Sequence, residues 1–171
     1  MLGTGITLFL FVGFSFFFFL LFFFFFLLVI NSYISEMRKT SRKTLVKKLD
    51  TIFSIFIRLR KANKQGIVTC YTCGKKDHYK KMQNGHFMSR KSYSTRWEEL
   101  NCQVQCYACN VMRYGEQYKY GLELQKEYSK DLPEELLIQS KQIVKFSNID
   151  LEEMINKYKD LVDKRKKELY L

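Results

Sequence analysis

Two C-x2-C pairs, Cys70-Tyr-Thr-Cys73 and Cys106-Tyr-Ala-Cys109, are separated by 32 residues in a chain of 171. No other feature of the sequence restricts its fold so tightly. Thiolates at this spacing reach one ion from a single tight turn, and two such turns complete a tetrahedral zinc site. Gly74 follows the first pair and supplies the backbone freedom that a metal knuckle needs. Disulfides are the competing use. They require an oxidising compartment and leave the fifth cysteine, Cys102, unpaired. A thioredoxin-type redox pair belongs in a βαβ setting, which is not found around either pair. The reading is a structural zinc held by Cys70, Cys73, Cys106 and Cys109. Four thiolates leave no position open to substrate, so any catalysis has to come from the inserted segment.

That insert contains His86, one of two histidines in the chain. A positioned imidazole can take a proton from water attacking a phosphodiester. His78, among lysines, reads as solvated. The charge also points to a phosphate-bearing partner. Residues 37–171 hold all 29 basic residues and 16 of the 17 acidic ones, a net of +13. Such an excess suits a polyanion, nucleic acid or an anionic membrane surface, or simply a lysine-rich solvated exterior.

The N-terminus has a different character. Thr7 to Ile30 is apolar for longer than the ~20 residues of a spanning helix. Arg38, Lys39, Arg42 and Lys43 after it would keep the remainder on the cytoplasmic side. The alternative is a start codon placed too early. Twelve of the sixteen phenylalanines lie in this stretch in near-homopolymeric runs, and Met37 precedes an ordinary basic, amphipathic segment. This favours Met37 as the start and a cytoplasmic, nucleoid-associated protein, with a single-pass membrane anchor if the segment is real.

From Met37 to Lys61, apolar residues recur at three- and four-residue steps, as on one face of a helix. Ile67 to Cys70 reads as a short strand entering the first knuckle. Tyr79 to Ser89 reads as a second strand or hairpin, with Asn84-Gly85 as its turn. A helix starts near Cys106, breaks around Gly115 and resumes from Glu116 to Tyr128. Pro133 suits the first turn of another helix, and Ser147 to Asp150 cap a last one, Leu151 to about Leu169. The chain divides into a Phe-rich segment (1–36), a basic amphipathic helix (37–66), a cysteine-stapled core (67–130) and C-terminal helices (131–171). The fold class is α+β, a small zinc-stabilised centre flanked by amphipathic helices.

Asn101 follows His86 by fifteen residues, and Asn110 follows Asn101 by nine, directly after the second cysteine pair. This order resembles the HNH, or ββα-metal, nuclease centre in its zinc-stapled form. The resemblance implies His86 as general base and Asn101 as the tie of the intervening loop. It implies Asn110, with His86 nearby, as a ligand of a catalytic divalent ion, Mg²⁺ or Mn²⁺. The HNH pattern usually has Asp before the histidine, where this chain has Gly85, so Asp77, Glu98 or Glu99 would have to substitute or the ion has fewer protein ligands.

The runs LDTIFSIFIRLRKANKQGIVTCYTCGK, QNGHFMSR, RWEELNCQVQCYACN and YGLELQKEYS are similar, in order and spacing, to the phage NinG (Rap) recombination family. In that family glycine before the histidine is usual. The resemblance spans about residues 40 to 135 and implies a structure-specific endonuclease, a hydrolase acting on D-loops and Holliday junctions. The alternative is a non-catalytic zinc-binding accessory that binds DNA. Branched DNA is the expected partner, and a homodimer would match the two equivalent strands of a four-way junction. Arg58, Arg60, Arg90, Lys91, Arg96 and Arg113 are the expected phosphate contacts. Tyr93 and Trp97 are candidates for stacking on unpaired bases, with packing the commoner role for the single tryptophan.

Overall fold

The computed structural model describes residues 23–30 and 40–171. Residues 23–30 form a helix, α1, in an N-terminal unit ending at Ser41, and Arg42–Leu171 form the second unit. No described helix is long and apolar enough to cross a membrane. Most of the Thr7 to Ile30 stretch, and Met37 with it, lies outside the described residues.

In the second unit the elements run α2 (Arg42–Arg60), β1 (Ile67–Thr69), β2 (Lys76–His78), β3 (Gln83–His86), α3 (Tyr93–Arg96) and β4 (Cys102–Gln105). A π-helical turn (Ala108–Met112) and helices α4 (Gln117–Glu127), α5 (Leu132–Ser140) and α6 (Asn148–Leu169) complete it. The architecture is α+β, with two small antiparallel sheets, β1–β2 and β3–β4.

Helix α2 presents Leu45, Leu49, Phe53 and Ile57 at four-residue steps, and all four are buried. Against them α6 sets Leu151, Tyr158 and Val162, with the Phe53 and Tyr158 rings edge to face at 4.8 Å. Each such large side chain removed from water contributes about 2 kcal/mol, so this seam anchors the unit. Ser147 caps α6 through a reciprocal box with Asp150. Near the other end of α6, Arg165 donates to the carbonyl of Ala62 and to that of Leu59, which also accepts the Ala62 N–H. The final helix thus fixes the direction in which α2 delivers the chain to β1.

The expected turn at Asn84-Gly85 does not form. Both residues lie inside β3, paired with Val104 and Gln103 of β4. Partner residues override the local turn preference, because β4 is buried along its whole length and draws β3 onto it. A second core, of Tyr120, Leu124, Leu132 and Leu136, joins α4 and α5 beneath Phe87.

Candidate functional site

The knuckles form where the spacing places them. The sulfurs of Cys70, Cys73, Cys106 and Cys109 all lie within 4.8 Å of one another, and those of Cys73 and Cys106 are 3.8 Å apart. A tetrahedral ion with Zn–S bonds near 2.3 Å separates its sulfurs by about 3.8 Å, so this four-sulfur set fits zinc. Gly74 adopts φ +73° as its N–H returns to the Cys70 carbonyl at 3.0 Å. The Cys106 N–H donates to the Cys70 sulfur at 3.3 Å and joins the two knuckles directly. Burial raises the Cys70 thiol, but that N–H, those of Cys73 and Thr72 and the Thr72 hydroxyl outweigh it and bring it down to about 6. Burial pushes the Cys73 thiol up to about 12. Cys102 stands apart on β4 opposite His86, and burial holds its thiol far above the ordinary range.

Strand β3, the turn before β4 and the π-helical turn after it carry the three remaining residues of the pattern. His86 ends β3, and its Nε2 lies 3.0 Å from the Arg96 carbonyl oxygen. A carbonyl can only accept, so Nε2 carries the proton and the lone pair is on Nδ1. Burial lowers the imidazole to about 4, with the Arg90 charge adding to it, so the ring is neutral at pH 7.

Asn101 is fully buried. Its Nδ2 donates to the carbonyls of Met88 (3.0 Å) and Thr95 (2.9 Å), while its Oδ1 accepts from Met88 N–H. One amide thereby closes the loop between His86 and Arg96. Asn110, on the π-helical turn, donates from Nδ2 to Gln83 Oε1 at 2.6 Å. That leaves its carbonyl oxygen free of any hydrogen bond from the described residues. His86 and Asn110 line one cleft of about 740 Å³ together with Arg58, Gln83, Arg90 and Tyr114.

Among the described residues, no carboxylate lines this cleft. Glu99 accepts from the Tyr158 hydroxyl, Glu98 from Leu100 N–H and Asp77 from His78 N–H, and none of the three is among the lining residues. Gly85 shows why a side chain is excluded before His86. A Cβ there would stand 2.1 Å from Gln105 Oε1, and Gln105 is fully buried, its Nε2 on the Gly115 carbonyl and the Thr72 hydroxyl.

The basic residues divide into two groups. Arg60 donates to the Glu99 carbonyl and to Gln103 Oε1. Arg96 makes a bidentate pair with Asp50 at 2.9 and 2.6 Å. Arg113 meets the Cys109 sulfur at 2.8 Å and pairs with Glu116. The guanidinium groups of these three are occupied within the protein. Arg58 donates to the carbonyls of Ser54, Tyr79 and Met82 and still lines the cleft, Arg90 is an exposed lining residue, and Lys91 is exposed. Trp97 is buried, with Nε1 on Asp50, and the half-buried Tyr93 packs edge-on against it at 5.4 Å with the Arg96 guanidinium over its ring.

Nothing in the sequence marks Asp50. From α2 it clamps Arg96 and Trp97, and through them it fixes the carbonyl that sets the His86 tautomer. Asp50→Ala strands two donors, and urea unfolding should show a loss of about 2 kcal/mol. In nitrogen NMR, the Nε2–H signal of His86 should lose its single-tautomer character. A variant with an unaltered His86 spectrum would limit Asp50 to packing.

A four-cysteine cluster placed to hold one ion, beside a cleft that carries two arginines, defines a small α+β protein with paired cysteine knuckles. A family model described as Bacteriophage Lambda NinG protein matches residues 34–168. The chain belongs to that NinG family, which is associated with phage recombination. Among curated proteins and solved structures, none matches.

Proposed function

We propose that the protein is a metal-dependent endonuclease with an HNH-like centre, acting on branched recombination intermediates such as Holliday junctions and D-loops. The observation that carries this reading is the His86 ring. It is neutral at pH 7, is held by Arg96 through Nε2, and shares a cleft with Asn110 and two arginines.

His86 Nδ1 takes a proton from a water molecule as the water oxygen bonds to phosphorus. The bond from phosphorus to one sugar oxygen breaks, and that oxygen takes a proton from solvent. Asn101 keeps the loop closed so that the imidazole does not rotate away. Arg58 and Arg90 neutralise the phosphates on either side, and Lys91 extends that track. A hard divalent ion, Mg²⁺ or Mn²⁺, supplies charge neutralisation at the phosphate when bound. Asn110, through its side-chain oxygen, would be the residue of this cleft that holds it.

The carboxylate-free cleft also favours a second reading, a zinc-bearing accessory that binds branched DNA without cutting it. One assay separates the two. Zinc-loaded protein is mixed with a four-way junction, a D-loop and a linear duplex, each with Mg²⁺ or Mn²⁺. Nicking confined to the branched substrates is expected. Binding without a nick in either ion sinks the nuclease reading. A pair of chains on one junction would appear as two symmetric nicks.

A further inference from the structure

The backbone beside the cleft carries a run of conformations that ordinary residues avoid. Tyr114, Gly115 and Glu116 have φ values of +52°, +86° and +51°, and two of the three are not glycine. Such strain persists only where the surroundings dictate it. Here they do. Gly115 N–H donates to the Cys109 carbonyl at 2.9 Å, and its own carbonyl accepts from buried Gln105 at 2.8 Å. Glu116 pairs with both Arg113 and Lys119. The segment is a rigid pedestal attached to the second knuckle, and it holds the Tyr114 ring 88% exposed at the cleft rim. A large aromatic side chain left in water gains nothing for folding.

We infer that Tyr114 is a stacking platform for an unpaired nucleobase beside the cleft. The ring meets the same cleft as Arg58 and Arg90, and an aromatic face next to cations matches a nucleotide, whose base stacks while its phosphate is neutralised. Tyr114 therefore takes the part for which the sequence suggested Tyr93 and Trp97. The inference rests on the nuclease reading and adds what the site selects, strands with unstacked bases over continuous duplex.

The test is binding by full-length, zinc-loaded protein without a second divalent ion. The DNAs are a branched substrate with 2-aminopurine at an unpaired position by the branch, and a fully paired duplex of equal length. Tyr114→Gly removes the ring and suits a φ of +52°, so its thermal midpoint should not fall. It should bind the branched DNA roughly tenfold more weakly, leave duplex affinity unchanged and abolish quenching of 2-aminopurine. Tyr114→Phe should restore both affinity and quenching. Equal weakening on both DNAs, or none on either, overturns the inference while leaving the nuclease reading intact. Failure of the unaltered protein to bind any DNA overturns both.

Discussion

Replacing Cys106 by alanine, or stripping the metal with a strong chelator, should lower the thermal midpoint by more than about 10 °C and erase the cleft. The reason is how little else holds the centre. Strands β1 and β2 have three residues each, β3 and β4 four each, and each sheet contains only two strands. Hairpins of that size are marginal in water. Zinc binding to such sites is worth about 10 kcal/mol or more at neutral pH, comparable to the whole stability of an ordinary domain. The seam between α2 and α6 lies outside the knuckles, so circular dichroism should retain much of its helical signal while the tertiary signal disappears. Metal analysis should find one zinc per chain in the unaltered protein. The disulfide alternative predicts the reverse sensitivity, unfolding by a reductant and indifference to chelators. Because the ligands must be deprotonated, retention of zinc should weaken as pH falls.

Elements with a one-dimensional signature were legible before any coordinates. Cysteine spacing marked the knuckles, four-residue apolar steps marked α2, and Ser147 with Asp150 marked the start of α6. Strand β4 was not legible. Its sequence, Cys-Gln-Val-Gln, looks like a polar loop, yet every residue is buried. The two glutamines are tolerated because Gln103 meets Arg60 and Tyr128 and Gln105 meets Thr72 and Gly115, partners that only the fold assembles. Strand β2, Lys-Asp-His, has no apolar alternation to read and exists by pairing with β1. The arginines show a related limit. Sequence reveals a positive charge but not whether a carboxylate is waiting for it, so Arg96, with Asp50 46 positions earlier in the chain, looked as available as Arg90.

For the same reason His86 is the residue on which a single substitution should have the largest chemical effect. His86→Ala should reduce the single-turnover cleavage rate by roughly 10²–10⁴-fold, the usual contribution of a positioned general base, with junction affinity little changed. The acid side of the pH profile carries the same information. The working form is neutral imidazole, so activity in the free enzyme should hold from pH 7 down to about 5. It should then fall as pH passes through about 4, and bound phosphate would move that limb upward. Stability follows with a defined sign. Unfolded His86 takes up a proton below about 6.5, while the buried ring resists protonation until about 4. The unfolded state therefore binds more protons across that window, and stability should drop by on the order of 3 kcal/mol as pH falls through it. His86→Ala should remove that share of the acid sensitivity along with the cleavage. Added imidazole, able to enter the space vacated beside the Arg96 carbonyl, should restore part of the rate in the variant and none of its acid response. A variant that cuts within twofold of the parent would leave His86 as a buried strand residue and transfer proton abstraction to solvent.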